Sequence, residues 1–283
     1  VIVVFGLLAL KRAQANGAST WTTMICVTWM CALIFPLLAF LGGEMQPVGL
    51  LWQPAIIGVL FMAGQGWTFL AVKLGDVSIA APVQGIKVLI VPAIAMIIVR
   101  ENMPGQVWFA AAIAMVGVVC VQTSDDKVDR SRILASVGFA ALAALTMSVF
   151  DLLIQRWAPA WGAGYFLPLA LGFAALFSVA FLPLADAPKR WFQSDLRGPL
   201  ILGSVLMAVQ AIGMTVTLAH WGDATRVNIV YSLRGLWGVL ITWALLHQAP
   251  ATSGRTSSRT MSMRLVGAIL IGVAVVIAVT ARR

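Results

Sequence analysis

Residues 75–119 read GDVSIAAPVQGIKVLIVPAIAMIIVRENMPGQVWFAAAIAMVGVV. From Val77 to Val99 this stretch holds only apolar and small or amide side chains, apart from one charge, Lys87. Arg100 and Glu101 interrupt it, Pro104 and Gly105 turn the chain, and a second apolar run continues to residue 122. A helix rises 1.5 Å per residue, so about 20 apolar residues cross a hydrocarbon core of roughly 30 Å. A helix half-buried in a soluble protein would carry a polar face, and neither run has one. The stretch reads as two membrane-spanning helices joined by a short polar turn.

The rest of the chain repeats the pattern. Of 283 residues 61% are hydrophobic and 10% charged, and the mean hydropathy is +0.96. A soluble domain carries about 25% charged residues, so this chain lacks the charge to cover a surface in water. Further spans are expected at about 21–42, 51–72, 134–156, 162–184, 198–219, 224–247 and 262–281, beside 77–99 and 106–122. The opening VIVVFGLLAL meets Lys11 and Arg12 too soon to span, and is read as the remainder of a longer first helix. The total is ten. The polar connections, such as TSDDKVDRSR from Thr123 and HQAPATSGRTSSRT from His247, leave no room for a separate soluble domain. Trp191 and Phe192 beside Lys189 and Arg190 read as an interfacial anchor.

The composition also excludes functions. The net charge of +9 is scattered in ones and twos between apolar runs, which is the pattern of membrane topology and not of a nucleic-acid surface. Cys26, Cys31 and Cys120 lie in apolar stretches without metal-ligand or disulfide spacing. There is no HExxH, Walker A or CxxC motif, and the two histidines, His220 and His247, stand near helix ends. No enzyme, metal site or cofactor is expected. The expected partners are membrane lipid and a small solute, and a monomer and a homodimer both stay open.

The two halves resemble each other. VFGLLALKRAQANGA from Val4 parallels VFDLLIQRWAPAWGA from Val149, an offset of 145. KLGDVSIAAPVQGIK from Lys73 lies over HWGDATRVNIVYSLR from His220, an offset of 147. The second match pairs Gly75–Asp76 with Gly222–Asp223, Gln84 with Tyr231, and Lys87 with Arg234. Each half holds an odd number of spans, so the second enters the membrane with opposite orientation. The expected fold is an all-α membrane protein, a ten-helix bundle of two inverted five-helix repeats, 1–122 and 134–281. Inverted repeats place a solute site near the midplane, where the repeats meet.

Lys87 and Arg234 each stand about ten residues into a span. A charge at that depth costs roughly 2.5–3.5 kcal/mol on insertion scales, so intramembrane charges mark functional sites. Gln84 shares a helical stripe with Lys87, Tyr231 shares one with Arg234, and Asn228 sits beside the latter. With Gln65, flanked by Gly64 and Gly66, these are the expected substrate-binding residues. Each amide or phenol could equally serve as an interhelical hydrogen-bonding group. Pro82 and Pro92 are expected to bend their helix, and Asp76 and Asp223 to cap helix starts. No carboxylate is expected mid-span, because Asp151 falls within about five residues of the end of span 134–156.

The pattern in 75–119 resembles the drug/metabolite transporter superfamily, in its EamA-like branch. There a Gly–Asp turn opens a helix with small residues and Pro92, Arg100–Glu101 closes it, and a glycine-bearing helix follows. GDATRVNIVYSLRGLWGVLITWALL is the counterpart, with Val239 in place of Pro92 and His247–Gln248 in place of Arg100–Glu101. The resemblance implies a multi-pass carrier of the bacterial plasma membrane that moves a small organic solute. A receptor or structural protein of the same fold is the alternative. Twelve basic residues lie in the connections after odd-numbered helices and five on the other side, which places both termini outside. The resemblance implies both termini inside.

Overall fold

The computed structural model describes residues 2–74, 86–100, 103–121, 130–233, 237 and 258–281. Every regular element among them is helical. The helices are α1 (Ile2–Ala15), α2 (Thr20–Ile34), α3 (Trp52–Leu74), α4 (Lys87–Ile98), α5 (Gly105–Val121), α6 (Arg130–Trp161), α7 (Ala163–Ser178), α8 (Ser194–Trp221), α9 (Ala224–Tyr231) and α10 (Ser258–Thr280). Both α2 and α7 tighten into 3-10 geometry at their ends, over Phe35–Leu41 and Val179–Leu184, where Pro36 and Pro183 remove a backbone donor.

Five continuous helical stretches among the described residues are long and apolar enough to cross a membrane. They are Thr20–Leu41, Val48–Ala71, Leu134–Trp161, Ala163–Leu184 and Ser194–Trp221, and α4, α5 and Leu265–Thr280 are shorter apolar helices. Large apolar side chains are exposed along them, with Leu33 73%, Phe40 80%, Ile97 77% and Leu134 77% accessible. In water so much exposed apolar surface would drive aggregation, whereas acyl chains solvate it at no cost.

The chain divides into two compact units, Val1–Gly66 with Val149–Asp223 and Trp67–Ser148 with Ala224–Arg283. Helices α3 and α6 run through both divisions of the sequence. In the first unit α1 packs along α8, α8 along α2, and α2 along α7. The facing half of α3 meets α6 through Trp52 against Trp157 and Phe61 against Phe150, with ring centroids 5.1 and 5.8 Å apart. Gly58 is pressed on α7, where a Cβ would stand 2.8 Å from the Ala174 nitrogen. Close approach of backbones through small residues is how helices associate in lipid, where no hydrophobic effect drives them together.

The same unit ties loops to helix starts. After α2, the Glu44 N–H donates to Trp161 O at 2.9 Å and the Gly164 N–H to Gly42 O at 3.2 Å, just where α7 begins. Gly43 and Gly162 meet backbone to backbone there, at φ 131° and 76°. A side chain at either would collide with the other strand of chain, and positive φ disfavours one in any case.

In the second unit α5 packs along α10, and α4 along α9. A Cβ on Gly117 would lie 2.8 Å from Gly267 O, so α5 and α10 touch at the backbone. Val88 of α4, Ile229 of α9, Ala110 and Ala114 of α5, and Ala274 and Ala278 of α10 form one buried cluster. Ser136 of α6 donates to Ala71 O of α3 at 2.8 Å.

One expectation is corrected here. The span read as 134–156 continues as helix to Trp161, whose side chain is fully buried. Gln155, Arg156 and Pro159 lie in this last part of the helix, where Ala158 and Trp161 are fully buried. Asp151 therefore lies ten residues from the helix end, and it is only 2% exposed.

Candidate functional site

Lys87 is the first residue of α4 and is half-buried. Its neighbour Val88 packs in the cluster that holds Ile229, the residue after Asn228. The packing of α4 on α9 thus brings Lys87 onto the same helix pair as Asn228 and Tyr231. Asn228 is 3% exposed, and its Nδ2 donates to Ala224 O at 2.8 Å. Tyr231 is half-buried at the end of α9. Pro92 is buried inside α4 and removes the donor that would reach Val88 O.

Gln65 is half-buried on α3 in the first unit. Asp223 directly precedes α9 with φ 58°, a left-handed backbone in place of the extended one usual at a helix cap. Gln84, Arg234, Pro82 and Asp76 lie outside the described residues.

Two polar groups escaped the sequence reading. Thr225, one turn before Asn228 on α9, is 1% exposed and its hydroxyl has no hydrogen-bond partner among the described residues. A buried hydroxyl without a partner costs about 1–3 kcal/mol, a cost that calls for an explanation such as a bound water, ion or ligand. A small β-branched residue in an apolar helix gives no sequence signal of this. The second is Asp151 in the first unit, followed one turn later by Gln155, which is also buried. Gln155 lies against Gly222, its Cγ 3.6 Å from where a Cβ would stand. Beyond it a cavity of about 360 Å³ is lined by Pro159, Gly162, Val216, His220 and Trp221, among others.

Arg226 closes the far end of α10. Its Nη2 donates to Ala281 O at 2.6 Å, placing a cation on the negative end of the helix dipole. Among the described residues no three His, Cys, Asp or Glu side chains group to hold a metal ion.

The comparisons agree with this architecture. The model of the EamA-like transporter family matches residues 1–123. No curated protein matches the chain. A solved structure described only as "Crystal structure of protein" superposes with a TM-score of 0.60 at 17% identity, covering 99% of this chain and 98% of that one. At that identity the likeness is one of fold. The matched family is one of transporters. Residues 1–123 thus match the EamA-like transporter family, within an integral membrane protein that crosses the bilayer several times.

Proposed function

We propose that this chain is a secondary transporter that moves a small organic solute, an anionic or zwitterionic metabolite above others, across a bacterial plasma membrane. The observation that carries the reading is the match of residues 1–123 to a transporter family, on a chain whose charged Lys87 shares a packed helix pair with buried Asn228.

The proposed architecture is a pair of inverted five-helix repeats, α1–α5 and α6–α10. Reciprocal packing supports it. The pairing of α1 with α8 has its counterpart in α6 with α3, and that of α2 with α8 in α7 with α3. Helices α2 and α7, α4 and α9, and α5 and α10 each pack on their own equivalent. Each unit also joins matching stretches of the two repeats, 1–66 with 149–223 in the first.

Lys87 and Arg234 are the proposed cationic contacts, with Gln84, Tyr231, Asn228 and Gln65 orienting the solute. The two cations give the proposed site a net positive charge. In a site that excludes water this charge favours a solute carboxylate or phosphate, and a guanidinium can pair with either in bidentate fashion. Reconstitution into proteoliposomes tests the reading. Saturable, trans-stimulated flux of an anionic solute from a panel of amino acids, sugar phosphates and organic cations supports it. Absence of saturable flux across the panel favours a receptor or structural protein of the same fold, and preferred flux of a cation overturns the charge argument.

A further inference from the structure

We propose that the groove between α1 and α8 holds one phosphatidylethanolamine molecule, its phosphate on Arg12, its ammonium on Asp195 and an acyl chain along the apolar walls below. Two glycines let these helices close on each other. A Cβ on Gly6 would stand 3.2 Å from the Met207 sulfur, and one on Gly203 would stand 2.6 Å from Leu10 Cδ2. Beside that contact the longer side chains splay. Phe5, Leu8 and Arg12 recur at three and four residues and share one face of α1, and Pro199, Leu202 and Leu206 do the same on α8. Between the two faces lies an open groove of about 650 Å³. Its walls Phe5, Leu8 and Leu202 are 46%, 44% and 56% exposed.

The polar end is pinned by a proline. Pro199 has no N–H to offer the Asp195 carbonyl four residues before it, and Asn16 Nδ2, just after α1, donates to that oxygen at 2.9 Å instead. The end of α1 is thereby tied to the start of α8, which brings Arg12 and Asp195 to the same end of the groove. Arg12 lies in the last turn of α1 and Asp195 in the first turn of α8, each where the helix dipole favours its charge. Among the described residues neither has an ion-pair partner, whereas Arg190 is engaged by Asp186 at 3.8 Å.

This end lies at headgroup level. Trp191 and Phe192 come just before α8, beside Lys189 and Arg190, as an interfacial anchor does. Leu206 lies about 16 Å further along α8 than Asp195, close to the roughly 15 Å of one leaflet's hydrocarbon. The groove therefore has a phospholipid's own polarity, charged at the surface and apolar toward the midplane.

The pair of charges selects the headgroup. A phosphate can take a bidentate bond from the Arg12 guanidinium. A headgroup carrying only negative charge would set it beside the Asp195 carboxylate with nothing between them. A choline offsets that charge but has no N–H to donate. An ethanolamine ammonium has three, and makes the charge-assisted bond to Asp195.

Native mass spectrometry of the full chain, released from detergent with equimolar dioleoyl phosphatidylethanolamine, phosphatidylcholine and phosphatidylglycerol, tests this. The expected result is one retained phosphatidylethanolamine, roughly tenfold over either other lipid, the worth of one charge-assisted hydrogen bond. Arg12→Gln should lower its retention, Asp195→Asn should level the three lipids, and Lys189→Gln, outside the groove, should change nothing. Leu202→Trp fills the groove from an exposed position and should reduce all three. Equal retention by the parent chain, or an excess of either other lipid, overturns the proposal. So does a parental preference that persists in Asp195→Asn or a parental occupancy that persists in Leu202→Trp. Should Asp195→Asn fail to fold, Leu202→Trp decides. Because no flux is measured, this proposal and the transporter reading fail separately.

Discussion

The carboxylate of Asp186 accepts the backbone N–H of Ser19 at 2.6 Å, across 167 residues of sequence. The same oxygen accepts the Thr22 hydroxyl at 2.8 Å, and the Thr22 hydroxyl in turn accepts the Asp186 N–H at 2.9 Å. Trp191 donates its indole N–H to Asp186 O at 2.8 Å. An acidic group thus sits on the positive end of α2, supplied by the loop that follows α7. It is the counterpart of the Gly42–Glu44 loop that holds the start of α7.

Removing this carboxylate should loosen the loop and the start of α2 together. Burial pushes the Asp186 carboxyl up, but the Ser19 N–H, the Thr22 and Ser19 hydroxyls and the Arg190 guanidinium together hold it below the ordinary carboxylate range. A lowered folded-state pKa contributes stability that is complete above the unfolded value, near 4, and is lost as pH falls through the folded value. Asp186→Ala should cost about 1–2 kcal/mol at neutral pH, the size of a lost cap. Unfolding in denaturing detergent at neutral and acidic pH checks this. The difference between parent and variant should shrink toward the acid end, and a constant difference would show that the carboxylate's charge plays no part.

Backbone contacts between helices should make two glycines intolerant and two indifferent. A Cβ at Gly58 or Gly117 falls within 2.9 Å of partner backbone, while Gly66 and Gly172 face open space. Gly58→Ala and Gly117→Ala should each lose about 1–3 kcal/mol by overpacking. The same change at Gly66 and Gly172 should be neutral or slightly stabilising, because alanine is the better helix former. Thermal unfolding of the four purified variants separates the two pairs.

Thr225 distinguishes a structural hydroxyl from one that serves a solute. Its Oγ1 is buried and has no hydrogen-bond partner among the described residues, so Thr225→Val should leave stability unchanged or raise it by up to about 1 kcal/mol. Flux of the anionic solute should nevertheless fall. A stable variant with unchanged flux would show that the hydroxyl faces only the protein interior.

How much of this was legible in the sequence differs by level. Among the described residues hydropathy located the five long apolar helices closely, as the reading of 162–184 against Ala163–Leu184 shows, because length and polarity alone decide whether a helix suits a bilayer. It misjudged the end of α6, which runs on past Gln155, Arg156 and Pro159 to Trp161. That single error hid Asp151. Hydropathy also gives no hint of which helices pair, so the division at Gly66 and Val149, which cuts through two continuous helices, was beyond it. Of the proposed site, Lys87 and Asn228 stand out in the sequence because charge and amide are rare in apolar runs. Thr225 does not, because a hydroxyl becomes conspicuous only once its partners are counted. The Asp186 clamp rests on a contact between residues far apart in sequence, and the local reading saw only an interfacial Trp191.

The most direct test of the account is solute flux in proteoliposomes containing Lys87→Met and Arg234→Met, each shown to fold by gel filtration and thermal unfolding. A hydrogen bond to a charged group contributes ~1.5–3 kcal/mol, so each variant should move the preferred anion roughly tenfold to a hundredfold more slowly than the parent chain. Folded variants that carry the anion at the parental rate would contradict the proposed site.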